Sequence, residues 1–202
     1  MKKYPAIALL ELSSIATGIT CGDMMIKQSP IGVIKSGTVH DGKYLILIGG
    51  SVASVEEAYY KGISVADDTI VDQLFLPDVH NQVHDAILGQ RNICDREAIG
   101  IIETTSVAAT IQSADKAIKS TNIEIVEIRL ADHLGGKAFA IFSGEIEDVQ
   151  AAVEVAHEKT TNQKFWICKK VIANIHPHMA RQIDQSTYFG QLEPHLVDEG
   201  EL

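Results

Sequence analysis

Short apolar runs alternate with amphipathic stretches along this chain, most clearly in its second half. Ala98-Ile99-Gly100-Ile101-Ile102-Glu103 is a brief apolar run of the kind a buried strand shows. Ser106 stands where a helix cap is needed, and Val107, Ile111, Ala114 and Ile118 recur at helical spacing, giving one apolar stripe. Residues 123–131 alternate imperfectly between Ile and charged positions, as a half-exposed strand does. Leu134-Gly135-Gly136 is turn chemistry, so residues 138–143 read as the return strand of a hairpin. A helix over 148–158, a strand over 165–172 and a short helix over 176–183 complete the set. The order β-α-β-β-α-β-α predicts an α+β fold: an antiparallel-rich, ferredoxin-like sheet with helices packed on one face.

The same order occurs twice. Ala6-Ile7-Ala8-Leu9-Leu10-Glu11 reappears as the 98–103 run 92 residues later, and that offset also pairs Ser14 with Ser106, Asp23 with Asp115 and Lys27 with Lys119. A slip to 94 pairs Gly42-Lys43 with Gly136-Lys137, and a second, to 96, pairs His80 with His176. A period this long is a whole small domain used twice, not a solenoid unit. The expected domains are 5–89 and 97–185, joined by a linker at 90–96. An acidic tail over 186–202, with Glu193, Asp198, Glu199 and Glu201, is expected to be mobile.

Composition narrows the function classes. The chain has 202 residues, 27 acidic and 17 basic, for a net charge of −10. That balance argues against nucleic-acid binding, which needs cations to replace phosphate counterions. Cys21, Cys94 and Cys168 lie far apart with no CxxC spacing, and read as reduced thiols. Lys2-Lys3 and the five apolar residues after Pro5 imitate an export signal, but Glu11 ends the run too soon. No membrane span is expected, and the location expected is cytoplasmic.

Candidate chemistry is sparse. Gly37 to Lys43 resembles a phosphate-binding GxxxxGK loop, yet Tyr44 follows where Ser or Thr is needed, and a strand follows where a helix is needed. It reads as a hairpin loop. His80 and His84 have the spacing of a zinc-binding helix, but Asn81 occupies the place of the general base, so a helix-start histidine bonded to backbone is the better reading. Glu11 and Glu103 end equivalent strands and are expected to accept backbone N–H bonds at the next helix start. No nucleophile–base constellation is visible, so no enzyme is expected.

The segments SIATGITCGDMMIKQSPI (14–31) and SVAATIQSADKAIKSTNI (106–123), each with a downstream Gly-Lys, strand and Gly, resemble the bacterial microcompartment shell domain. Two copies in direct order resemble its tandem-domain shell proteins, among them a propanediol-utilisation trimer with an iron–sulfur cluster in its pore. The resemblance implies a homotrimer forming a pseudohexameric tile that assembles with other shell proteins and passes small metabolites through a central pore. It places Thr38, Val39, His40, Asp41 and Gly42, and Asp132, His133, Leu134, Gly135 and Gly136, at the pore, with Lys27 and Lys119 at the tile edge. His40 stands where cluster-bearing relatives have cysteine, so no iron–sulfur cluster is expected, although His40 could ligate a metal ion. The alternatives are a metal-carrying or electron-transfer tile and a trimeric regulatory protein that binds a small ligand.

Overall fold

Strand β1 (Ala6–Leu12) is buried along its whole length because it lies inside a sheet covered on both faces. The computed structural model describes residues 4–158 and 160–194. Hydrogen bonds order the first sheet β2-β3-β1-β4, with β2 (Val33–Thr38), β3 (Tyr44–Gly50) and β4 (Ile70–Leu76) all antiparallel to their neighbours. The second sheet repeats this as β6-β7-β5-β8, from β5 (Ala98–Thr104), β6 (Glu124–Leu130), β7 (Ala138–Gly144) and β8 (Trp166–Ile172). Even the register shift recurs, between Glu11 and Leu12 against β4 and between Glu103 and Thr104 against β8. The duplication read from sequence is therefore a duplication of structure.

Helices α1 (Ile15–Gln28) and α2 (Val52–Ala66) are capped by Ser14 and Ser51, each side chain accepting a backbone N–H from the first turn. They cover one face of the first sheet, where Ala6, Ala8, Leu10 and Leu12 meet Cys21, Met25, Val55 and Ala58. Gly18 lets α1 lie directly on β3, since a Cβ there would sit 2.4 Å from the Tyr44 ring. In the second domain α4 (Val107–Ser120) and α5 (Ile146–Glu158) hold the equivalent places, and Phe142 is buried beneath them.

The two short helices depart from the expectation that all helices share one face. On α3 (Asn81–Ile87), Val83 and Ile87 join a cluster with Ile7 and Leu9, which point away from α1, and the helix packs on β6 of the other domain. On α6 (Pro177–Gln185), Ile183 meets Ile99, Val126 and Ile141 on the second sheet's outer face. The apolar runs of β1 and β5, broken only near their ends by Glu11, Glu103 and Thr104, required this: a strand apolar on both sides needs cover on both faces.

The linker and the start of the tail are held. Arg91 donates to the carbonyls of Ile183, Asp184 and Gln185 and pairs with Glu127, while the Cys94 N–H donates to Asp184 at 2.6 Å. Past Ser186, Thr187 donates to Glu127 and Tyr188 stacks on the Arg129 guanidinium at 3.5 Å, so the first tail residues dock on domain two. Asp198, Glu199 and Glu201 lie outside the described residues, as do Lys2 and Lys3.

Candidate functional site: the seam between the domains

The two domains meet along a polar seam that sequence pattern alone did not reveal. At its centre Glu11 is fully buried, and its Oε2 accepts the Val107 N–H of α4 at 2.9 Å. The helix served is the one starting the other domain, not the one following β1. Lys43 closes the group, donating to Glu11 Oε1 at 2.8 Å and to the Thr105 carbonyl at 3.0 Å. Beside it the Ser106 hydroxyl donates to Asp72 across the seam. Burial pushes the Glu11 carboxyl above its usual range, against the opposing pull of Lys43 and the Val107 N–H, and burial raises Asp72 in the same direction.

Farther along the seam Asp115 accepts the His80 N–H at 2.8 Å and pairs with Lys119 at 2.6 Å. The Lys119 ammonium also reaches the Asp78 carbonyl of the first domain. Its repeat partner Lys27 pairs with Asp23, at 2.6 Å, and both side chains are largely exposed. The Ile125 N–H donates to Gln82 at 2.8 Å. His80 and His176 are helix N-caps, each ring accepting a backbone N–H through Nδ1 at 3.3 Å, as read from sequence.

One end of the seam carries the two equivalent hairpin loops. The β2–β3 loop turns through left-handed Asp41 (φ 70°) and Gly42, and the β6–β7 loop through Ala131 (φ 49°), His133 (φ 59°), Gly135 and Gly136. Three non-glycine residues in that region store strain, of the kind found where surroundings fix a loop's shape. The loops touch: the His133 N–H donates to His40 Nδ1 at 2.9 Å, and the two rings stand 5.1 Å apart. Asp132 approaches His40 to 3.8 Å. A Cβ on Gly136 would sit 3.0 Å from Asp41 Cβ, so only glycine fits there. His40, Asp41, Asp132, His133 and Gly136 are thus brought together, while Thr38 and Val39 line an adjoining cleft of about 280 Å³ with Leu130.

This geometry bears on the metal and cluster expectations. Cys21 is buried under α2, Cys94 is buried where the linker meets α6 and Cys168 lies on β8, so none reaches either loop and the residues do not fit a loop-held iron–sulfur cluster. Burial drives the Cys21 thiol up to about 11, which favours an unreactive thiol. With Nδ1 of His40 accepting an N–H, the neutral ring carries its proton on Nε2 and offers a metal no lone pair until that proton or that bond is lost. Within one chain, no three His, Cys, Asp or Glu side chains among the described residues are grouped to hold a metal. No helix among them is long and apolar enough to cross a membrane.

The structure is thus a duplicated α+β domain, joined side by side through buried carboxylates with equivalent loops meeting at one end. The BMC domain model matches residues 6–79 and 98–175, and the chain belongs to that family, the shell proteins of bacterial microcompartments. It is 40% identical over 178 residues to the bacterial microcompartment shell protein PduT of Citrobacter freundii, covering 88% of this chain and 97% of that one. A crystal structure of a microcompartment protein from Desulfitobacterium hafniense superposes with a TM-score of 0.77 at 35% identity, over 87% of this chain and 98% of that one. The carboxysome assembly protein CcmO of a Synechocystis strain is 23% identical over 168 residues, which span 76% of this chain and 56% of CcmO. The protein is a structural shell component.

Proposed function

We propose that three copies close into a pseudohexagonal tile, six domains about one axis, with residues 38–42 and 132–136 around a central pore for small metabolites. The observation that carries this reading is the tip-to-tip contact of the twin loops, His133 N–H to His40 Nδ1. Neighbouring wedges around an axis would bring equivalent loops together in this way. The tile takes its place among other shell proteins in a microcompartment of the cytoplasm, and no catalytic step is assigned to it. The pore is lined by imidazole and carboxylate rather than by a resident cofactor, and the bond already made by His40 disfavours the metal-carrying alternative.

Lys27 and Lys119 are assigned to the tile edge, Lys119 at the point where the seam, through the Asp78 carbonyl, meets that edge. Sedimentation of the purified protein should give three chains per particle, and electron microscopy should show extended sheets or tubes. Exposed ion pairs contribute at most about 1 kcal/mol, so Lys27→Ala should leave the trimer intact while abolishing sheets. A wild-type monomer would sink the tile, and loss of the trimer in Lys27→Ala would move this lysine from the edge to a subunit boundary.

A further inference from the structure

The outer faces of the two sheets are equivalent in register and filled differently. Lys35 pairs across β2 and β3 with Leu47, and Gly37 with Leu45; the matching pairs of the second domain are Glu127 with Ile141 and Arg129 with Phe139. Lys35 is therefore the counterpart of Glu127, and Gly37 of Arg129. Arg129 fills its place. Its guanidinium lies 5.6 Å from the centre of the Phe139 ring and 3.5 Å from that of Tyr188, and it donates to the Thr187 carbonyl. Glu127 completes the cover by accepting from Arg91 and Thr187. In the first domain Gly37 supplies no side chain, and a Cβ there would meet no atom within 4 Å. The cleft of about 280 Å³ beside the β2–β3 loop is the space so left. Leu9, Leu45 and Leu47 form its floor, Ile87 of α3 and Leu130 of the second domain wall it, and Lys35 stands at its rim.

We propose that this cleft is a binding site for a small aliphatic monocarboxylate, its carboxylate on the Lys35 ammonium and its alkyl chain over Leu45, Leu47 and Leu130. The charge follows from the repeat. The second domain keeps a carboxylate at this place, Glu127, and satisfies it with the cation Arg91. The first domain keeps a cation instead, and among the described residues no carboxylate is paired with it. The apolar body follows from the floor: methylenes laid on leucine leave water favourably, whereas hydroxyls there would lose water and gain no partner. The size follows from the strand, since β2 runs roughly 10 Å from Lys35 to Thr38, room for a chain of about six carbons. A second carboxylate is disfavoured at the far end, where Asp132 lines the cleft and lies 3.8 Å from His40 of the loop. The site is complete within one chain; only its position beside a pore rests on the tile reading.

Titration of methyl-labelled protein with sodium hexanoate at constant ionic strength tests the site by nuclear magnetic resonance. The methyl signals of Leu45, Leu47 and Leu130 should shift saturably. Lys35→Gln, at an exposed strand position, should weaken hexanoate binding at least about tenfold. Gly37→Leu, whose side chain occupies the cleft, should abolish the shifts without lowering the denaturation midpoint. Hexylamine and adipate, the amine and the dicarboxylate of matching length, should each bind at least about tenfold more weakly than hexanoate. Equal binding of hexanoate to wild type and Lys35→Gln, or a preference for hexylamine, would overturn the anion site. The absence of a saturable shift at these leucines, or undiminished binding to Gly37→Leu, would overturn the cleft as the place of binding. Sedimentation reads the tile separately, so a monomer that binds hexanoate through Lys35 would sink the tile and leave this site standing.

Discussion

Lys43→Met should cost about 3 kcal/mol of stability at neutral pH, the largest single effect expected outside the apolar cores. Among the described residues Lys43 is the only cation bonded to Glu11, whose carboxylate is otherwise closed off between β1 and the start of α4. Removing the ammonium leaves a buried charge held by backbone and hydroxyl alone. The pH dependence identifies the cause. Glu11 already has a folded-state pKa above its ordinary value, so its contribution favours folding at low pH and is lost as the pH rises through the folded value. Without Lys43 that pKa rises further, and the folded variant takes up a proton on acidification before the unfolded chain does. The deficit measured by urea denaturation should therefore shrink as the pH is lowered from 7 toward 5. A deficit equal at both pH values would mean that lost packing of the lysine stem, not the stranded carboxylate, is responsible.

Asp115→Ala is expected to cost about 2–3 kcal/mol, because a nearly buried carboxylate loses two charge-assisted bonds at once. One is to the His80 N–H at the start of α3 and the other to Lys119, so the change opens the seam from both domains. Asp115→Asn keeps an acceptor for His80 while removing the ion pair, and should recover about half the loss. Denaturation midpoints of the three proteins decide this. A cost below about 0.5 kcal/mol for the alanine variant would show that α3 holds the second domain through its apolar side alone, by Val83 and Ile87.

The fold was legible because its determinants are local and occur twice. Each apolar run became a strand, each Ser before an apolar stripe became a cap, and the shared offsets located the pairs whose residue type is kept. What escaped notice was the seam. Its residues come from β1, β3, β4, α3 and α4, and nothing in their spacing announces that Glu11 serves the helix of the other domain. A signal was present nonetheless: a glutamate ending an otherwise apolar strand, in both copies, each with a lysine entering its third strand. Asp72 left no such trace, since its counterpart is Cys168 and the repeat comparison passed over it. The loops were placed by resemblance, and only coordinates reveal that His40 is already engaged by His133. The two short helices were located but not oriented, because periodicity says which side of a helix is apolar and not which sheet surface it will cover.

The strap at residues 90–96 has a kinetic consequence. Arg91 and Cys94 fasten it to the end of α6, so one seam in every chain forms at the high effective concentration of a tethered partner, independent of how much protein is present. In the proposed ring of six wedges only two bimolecular joins are then needed instead of five, the last seam closing within the particle. Assembly should follow a correspondingly shallow dependence on protein concentration, and rings missing a single wedge cannot arise, because wedges are delivered in pairs.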